Sequence, residues 1–344
     1  MGFKSERVIH EIHLQNPEEV ISDLLLTNDD KWIITVGTAP GLLDCIRLWD
    51  FKKKKLSFTF ERAHDGNISG LTLSNDNMLL ISRSSTTFKI WDLSHSRCAL
   101  TIHKAHRGEI LSLALMSDNR FMITGSMDKT IKVWDLEAKK SVKTILNAHS
   151  ATVIAFLFIK NDQTFISGSE DRSIKIWSFR DYKATHVFTQ AHNSTISLLQ
   201  LTKDDQTLIS AADTTIRVWD LKKKILLHSF DQAHHYTINR ILLTRDNKFI
   251  ISGSDDKSIK IWDLTEKLNT VTFSQAHGNQ INSIMITADS KYMISGGLDG
   301  SIRVWDLFQK RSILHYEDAA DESIKRFFLM NNEQYLAIVC DGSL

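Results

Sequence analysis

Apolar residues along this 344-residue chain fall into short runs whose rhythm keeps changing. In 109–115 (EILSLAL) the run is nearly unbroken, as a strand covered on both faces requires. SDNR (117–120) interrupts it with residues that bond their own backbone, a turn signal. FMIT (121–124) resumes, and GSMDK (125–129) breaks the run at Gly125. TIKVWDL (130–136) then alternates, with Ile131 and Val133 inward and Lys132 outward. After the turn EAKK (137–140), SVKTILN (141–147) forms a fourth apolar run. The pattern predicts an antiparallel meander of four short strands. Such a sheet needs a neighbour on each face to bury its apolar side chains.

The same text is written again and again. SGSDDKSIKIWDL (252–264) reappears as TGSMDKTIKVWDL (124–136), SGSEDRSIKIWSF (167–179) and SGGLDGSIRVWDL (295–307). Trp49, Trp91, Trp134, Trp177, Trp219, Trp262 and Trp305 are separated by 42, 43, 43, 42, 43 and 43 residues. A period in that range marks a repeat architecture. His64, His106, His149, His192, His234 and His277, each preceded by Ala, run in phase with it. The first repeat is atypical: Pro17 aligns where the His should be, and its loop 38–45 is longer and carries Pro40.

Four strands per unit, a His near the start and a Trp-Asp closing the third strand resemble the WD-repeat β-propeller family. The resemblance covers roughly 7–340, with Ala-His in place of the family's Gly-His and Trp177-Ser178 in place of one Trp-Asp. It implies an all-β fold: a WD-repeat β-propeller of four-stranded antiparallel blades, with seven complete repeats (21–316) plus a partial eighth (321–344). The whole chain, 1–344, is then a single propeller domain, with the β-prone run 7–14 (RVIHEIHL) as a closing outer strand. Both seven and eight blades remain open, with a lean toward seven and an extra partial unit. The chain stops where the next Trp strand should begin, so a fragment of a longer protein is expected.

The resemblance also implies a buried His–Ser/Thr–Asp–Trp network in each complete blade. By position these are His106, Thr124, Asp128 and Trp134; His149, Ser167, Asp171 and Trp177; His192, Ser210, Asp213 and Trp219; His234, Ser252, Asp256 and Trp262; and His277, Ser295, Asp299 and Trp305. The second repeat keeps His64, Ser82 and Trp91, but SSTT (84–87) offers no Asp. A His, Ser and Asp together invite a hydrolytic reading. Repetition of the set in five units, each closed by a Trp, argues instead for a structural role, so no catalytic residue is expected. One His per unit is spread around a ring, which excludes convergence on a metal, and no cofactor motif is present.

Composition narrows the partners. Net charge is +1, from 42 basic and 41 acidic residues, which gives no electrostatic reason to expect nucleic acid. No apolar run approaches the ~18 residues of a membrane span, and the N-terminus lacks the apolar core of a secretory signal. Cys45, Cys98 and Cys340 are an odd, scattered set that reads as free thiols in a reducing compartment. The expectation is an intracellular protein, cytoplasmic rather than nuclear. It is expected to be a monomeric propeller working within a complex, as a noncatalytic scaffold for partner proteins or peptides. The alternative is a propeller module of a larger protein whose activity lies elsewhere. Recognition is expected on the rim that carries the His loops and the turns before each Asp. The candidates there are Arg107, Glu109, Met127, Glu170, His235, Tyr236, Asp255, Asn279, Gln280 and Leu298, a mouth suited to a basic peptide with an apolar anchor.

Overall fold

The computed structural model describes residues 20–38, 44–159, 163–317, 324–330 and 335–340. The run 7–14 lies outside the described residues. Among the described residues, all thirty elements are strands, and they form seven four-stranded antiparallel sheets plus one two-stranded sheet. Each of the seven sheets is a meander in chain order, and these are the blades of a β-propeller. In blade three the strands are Ile110–Leu115, Phe121–Ser126, Ile131–Asp135 and Lys140–Ile145, from the ring's inside outward.

Blades meet face to face through apolar clusters, each drawn from two neighbours. Between blades one and two, Ile34, Val36, Ile46, Leu48 and Phe60 face Ile68, Leu80 and Trp91. Between blades five and six, Ile209, Ile216, Val218 and Phe230 face Ile238, Ile241, Ile250 and Trp262. Each Trp meets an aromatic ring offered near the end of the preceding blade's outer strand in four interfaces: Phe60–Trp91, Phe188–Trp219, Phe230–Trp262 and Phe273–Trp305, with centroids 4.5–4.8 Å apart. Where Ile102 and Ile145 end the outer strand, Trp134 meets Phe88 of the preceding blade's third strand, and Trp177 stacks on Phe165 of its own blade. Such pairs are favourable beyond the area they bury.

The two-stranded unit, Ile324–Met330 with Tyr335–Cys340, stands between blade seven and blade one. Ile324, Leu329, Leu336 and Ile338 pack on Ile294, Ile302 and Val304 of blade seven. Phe328 packs against the cluster Ile21, Leu24, Ile33 and Trp49 of blade one. The partial unit therefore joins the two end blades and takes its own place in the ring.

One face, here the lower, carries the turns between first and second strands. These turns are linked from blade to blade. Asn77 and Asn119 accept from the backbone N–H of Asn28 (2.9 Å) and Asn75 (3.0 Å) in the preceding blades. Asn247 and Ser290 do the same for Lys203 (3.2 Å) and Arg245 (3.1 Å). All four acceptors sit at positive φ, between 56° and 60°. Asn tolerates that region through its short polar side chain, so it can hold the turn and bridge the blades at once.

Candidate functional site

The upper face is formed by the Ala-His loops and the turns between second and third strands. Behind it lies the polar network of each blade. In blade four, His149 Nε2 is 2.7 Å from Ser167 Oγ, which accepts from the Trp177 indole at 2.8 Å. His149 Nδ1 is 2.9 Å from Asp171 Oδ2. The carboxylate can only accept, so Nδ1–H donates to it, and Nε2 of the neutral ring accepts the Ser167 hydroxyl proton. Ser173, two residues on, donates to Asp171 Oδ1 at 2.6 Å, and the Ser150 N–H donates to Oδ2 at 2.9 Å.

Blade six repeats this with His234, Ser252, Asp256, Ser258 and Trp262. Blade three uses His106, Thr124, Asp128, Thr130 and Trp134. Blade seven uses His277, Ser295, Asp299, Ser301 and Trp305. The hydroxyls Thr130, Ser173, Ser258 and Ser301 are members that reading the sequence missed. Their signal was a Ser or Thr two residues after each Asp.

Blade five requires a correction. Asp213 does not reach His192. The shorter turn pairs Ala212 with Thr215, which leaves Asp213 in a two-residue loop at φ 50° with its side chain exposed. Thr215 Oγ1 takes the place, 2.8 Å from His192 Nδ1, and passes its own proton to the Ala212 carbonyl at 3.0 Å. His192 Nε2 and Trp219 share Ser210 as in the other blades. Blade two keeps His64–Ser82–Trp91 without a carboxylate. Among the described residues, blade one keeps of this network the indole bond alone, from Trp49 to Thr35 at 2.9 Å.

Burial sets the charge state of these rings. Desolvation pushes His192 down to about 3, helped by Arg217, and His64 down to about 4, helped by Lys89. His277 is also held at about 4 by burial, against the pull of Asp299. The rings are neutral at pH 7. For Asp128 burial acts upward, but Thr130, the Arg107 N–H and His106 outweigh it and bring the carboxyl to about 2.

The third-strand lysines, expected to point outward, fold over the tryptophans. Lys175 lies 5.7 Å from the Trp177 ring centre and donates to the Ala148 carbonyl at 2.6 Å. Lys260 does the same with Trp262 and Ala233, and Arg217 reaches the Ala191 carbonyl. The Ala before each His is buried beneath these contacts.

The recognition candidates sit above this layer. The Met127 N–H donates to the Glu109 carbonyl, Glu170 to Thr152, Asp255 to Thr237 and Leu298 to Gln280, all at 2.9–3.0 Å. Each turn before an Asp is thus tied to the His loop of its own blade. The N–H groups of Arg107 and His235 donate to Asp128 and Asp256, which leaves their side chains exposed. Tyr236 is 65% and Met127 50% exposed. The Asp255 carboxylate accepts from Asn239 at 2.6 Å, and the Asn279 side chain accepts from the Gln280 N–H at 2.8 Å. Among the described residues, no hydrogen bond or ion pair links candidates of different blades. A cleft of about 540 Å³ opens between blades three and four, lined by His149, Asp171, Lys129 and Lys175. Its His and Asp are already bonded to each other.

The wall of the ring below the upper face is stapled across blades. Ser112 Oγ donates to the Val153 carbonyl (3.1 Å), Asn239 Nδ2 to Ile281 (3.2 Å) and Arg83 Nη1 to Ile110 (2.6 Å). Each acceptor begins an inner strand of the next blade. Arg83 fits because Gly70 stands opposite it; a Cβ there would lie 2.7 Å from the guanidinium.

The family description "WD domain, G-beta repeat" matches six segments: 54–92, 97–135, 139–178, 183–220, 224–263 and 268–306. The chain belongs to the WD-repeat family. The matched segments each begin near an outer strand and end one residue after the next Trp, so they straddle blade boundaries. No curated protein is matched. Among solved structures, the WD-repeat chain is similar in fold to the computationally designed Ika8 protein. The TM-score is 0.79 at 22% identity, with 96% of each chain covered.

Proposed function

We propose that this WD-repeat propeller is a noncatalytic interaction scaffold whose upper face and central mouth bind a partner peptide or domain. WD-repeat propellers generally serve protein interaction. One observation carries the reading for this chain. Its repeated His, Ser/Thr and Asp side chains are spent on one another and on tryptophan, while differing side chains project above them from turns fixed by backbone hydrogen bonds. Loops on a rigid framework are where recognition residues concentrate. Tyr236, Met127 and Leu298 supply apolar contacts, and Glu170 and Asp255 supply negative charge, so the fitting ligand is a basic segment with an apolar anchor. The proposed setting is the reducing cytoplasm, with the propeller as one member of a complex.

The test is affinity purification of the wild type beside two variants, Glu170→Lys with Asp255→Lys, and Tyr236→Ala. Loss of the same partners from both supports the site. An unchanged partner set in both variants sinks it.

A further inference from the structure

The seven outer strands form a built-in comparison, because each is the free edge of its sheet. The residue opposite the last residue of the third strand opens each outer strand. It is Lys55, Arg97, Lys140, Lys183 and Arg311 in blades one, two, three, four and seven. A cation there is a usual guard on an exposed edge. In blades five and six the same place holds Ile225 and Leu268, each 47% exposed. The two blades are neighbours in the ring. Leu226 (42%) and Leu227 (38%) extend the apolar surface of blade five. Lys222, Lys223 and Lys224, all exposed, occupy the turn just before it. On blade six the exposed Glu266 and Lys267 offset each other, and on blade five Lys223 lies 4.0 Å from Asp220, so the excess charge of this rim is carried by Lys222 and Lys224.

We infer that the outer rim of blades five and six is a second docking surface, one that takes an acidic amphipathic segment of a partner protein. Apolar side chains of the segment cover Ile225, Leu226 and Leu268, and its carboxylates meet the lysine turn. The contact is by side chains, because a bulge at Leu227 breaks the regular ladder of this edge. A second copy of the chain fits less well. Four apolar side chains fall short of the ~1,200 Å² that a stable flat interface buries, whereas a wrapping segment adds contacts of its own. The surface lies on a different part of the ring from the upper face, so each stands or falls alone.

The test uses the full chain and two labelled probe peptides with the same leucine stripe, one with glutamate and one with lysine on the polar face. Fluorescence anisotropy should show binding of the glutamate probe only. Ile225→Lys with Leu268→Lys installs the residue that three other blades carry at this place, so the variant should melt as wild type does. It should weaken the glutamate probe by about tenfold or more. Lys222→Glu, Lys223→Glu and Lys224→Glu together should do the same without touching the apolar residues. Absence of glutamate-probe binding, equal binding of the two probes, or binding indifferent to both variants overturns the proposal. Self-association in sedimentation that the Ile225→Lys, Leu268→Lys pair abolishes also overturns it, by making a second copy the occupant.

Discussion

Thr215 does with one hydroxyl what Asp171 and Asp256 do with a carboxylate: it accepts the Nδ1 proton of a buried histidine. Replacing it with Val keeps the shape and strands a buried donor, which costs ~1–3 kcal/mol. Asp213→Asn, which keeps a short polar side chain at this exposed, positive-φ turn, should stay within about 0.5 kcal/mol of wild type. Chemical denaturation of the two variants decides between them, and a larger loss at Asp213 would reverse the assignment. The rings also set a pH dependence. The folded-state values of His64 and His277 are lowered from 6.5 to about 4, and that of His192 to about 3. The unfolded chain therefore binds more protons as pH falls below 6.5, and stability drops from there down to about pH 4, with His192 extending the loss to about pH 3. Denaturation midpoints taken across that range should fall steadily; a flat profile would show the rings charged in the fold. The His, Ser/Thr and Trp positions were legible because they keep constant spacing. Asp213 was misread because the loss of one turn residue changes which side chain points inward while the letters still align.

At the scale of a blade, the completeness of the network should decide local stability. Blades three, four, six and seven have a carboxylate on the His ring, blade five has Thr215, blade two has neither, and blade one has no His. Native-state hydrogen exchange should therefore be faster in the third strands Cys45–Asp50 and Thr87–Asp92 than in Ile131–Asp135 or Ile259–Asp263. Uniform protection would separate blade stability from the network. Blade two has a compensating device in the Arg83 staple. Gly70→Ala presses on the guanidinium, a flexible group that can shift, so the single change should be mild. Arg83→Gly should remove most of the sensitivity to Gly70→Ala, which a double-mutant cycle in denaturant measures. Additive effects would mean the two residues act separately. Strand existence and order were readable from the alternation of apolar residues. The cross-blade bonds of Asn77, Asn119 and Asn247 were not. An Asn in a turn looks the same whether it serves its own turn or a neighbour's.

The ring as a whole depends on how its ends meet. The described residues between 20 and 317 build seven full blades, and blade seven and blade one are bridged by a unit with two described strands. The sequence aligned 321–344 with the first two strands of a repeat, but alignment alone left open whether that unit was redundant. Packing gives it a place, because Ile324 is fully buried against blade seven while Phe328 reaches the cluster around Trp49. If the unit is integral, the cost of thinning its core should match the cost within a complete blade. Ile281, also fully buried, begins the inner strand of blade seven and occupies the equivalent place. Ile281→Ala and Ile324→Ala should each lose ~2–5 kcal/mol. Each loss should lower the single transition of the whole ring, since neighbouring blades share every interface and unfold together. A small early transition in Ile324→Ala, with the main one unmoved, would make the partial unit an appendage rather than a link in the ring.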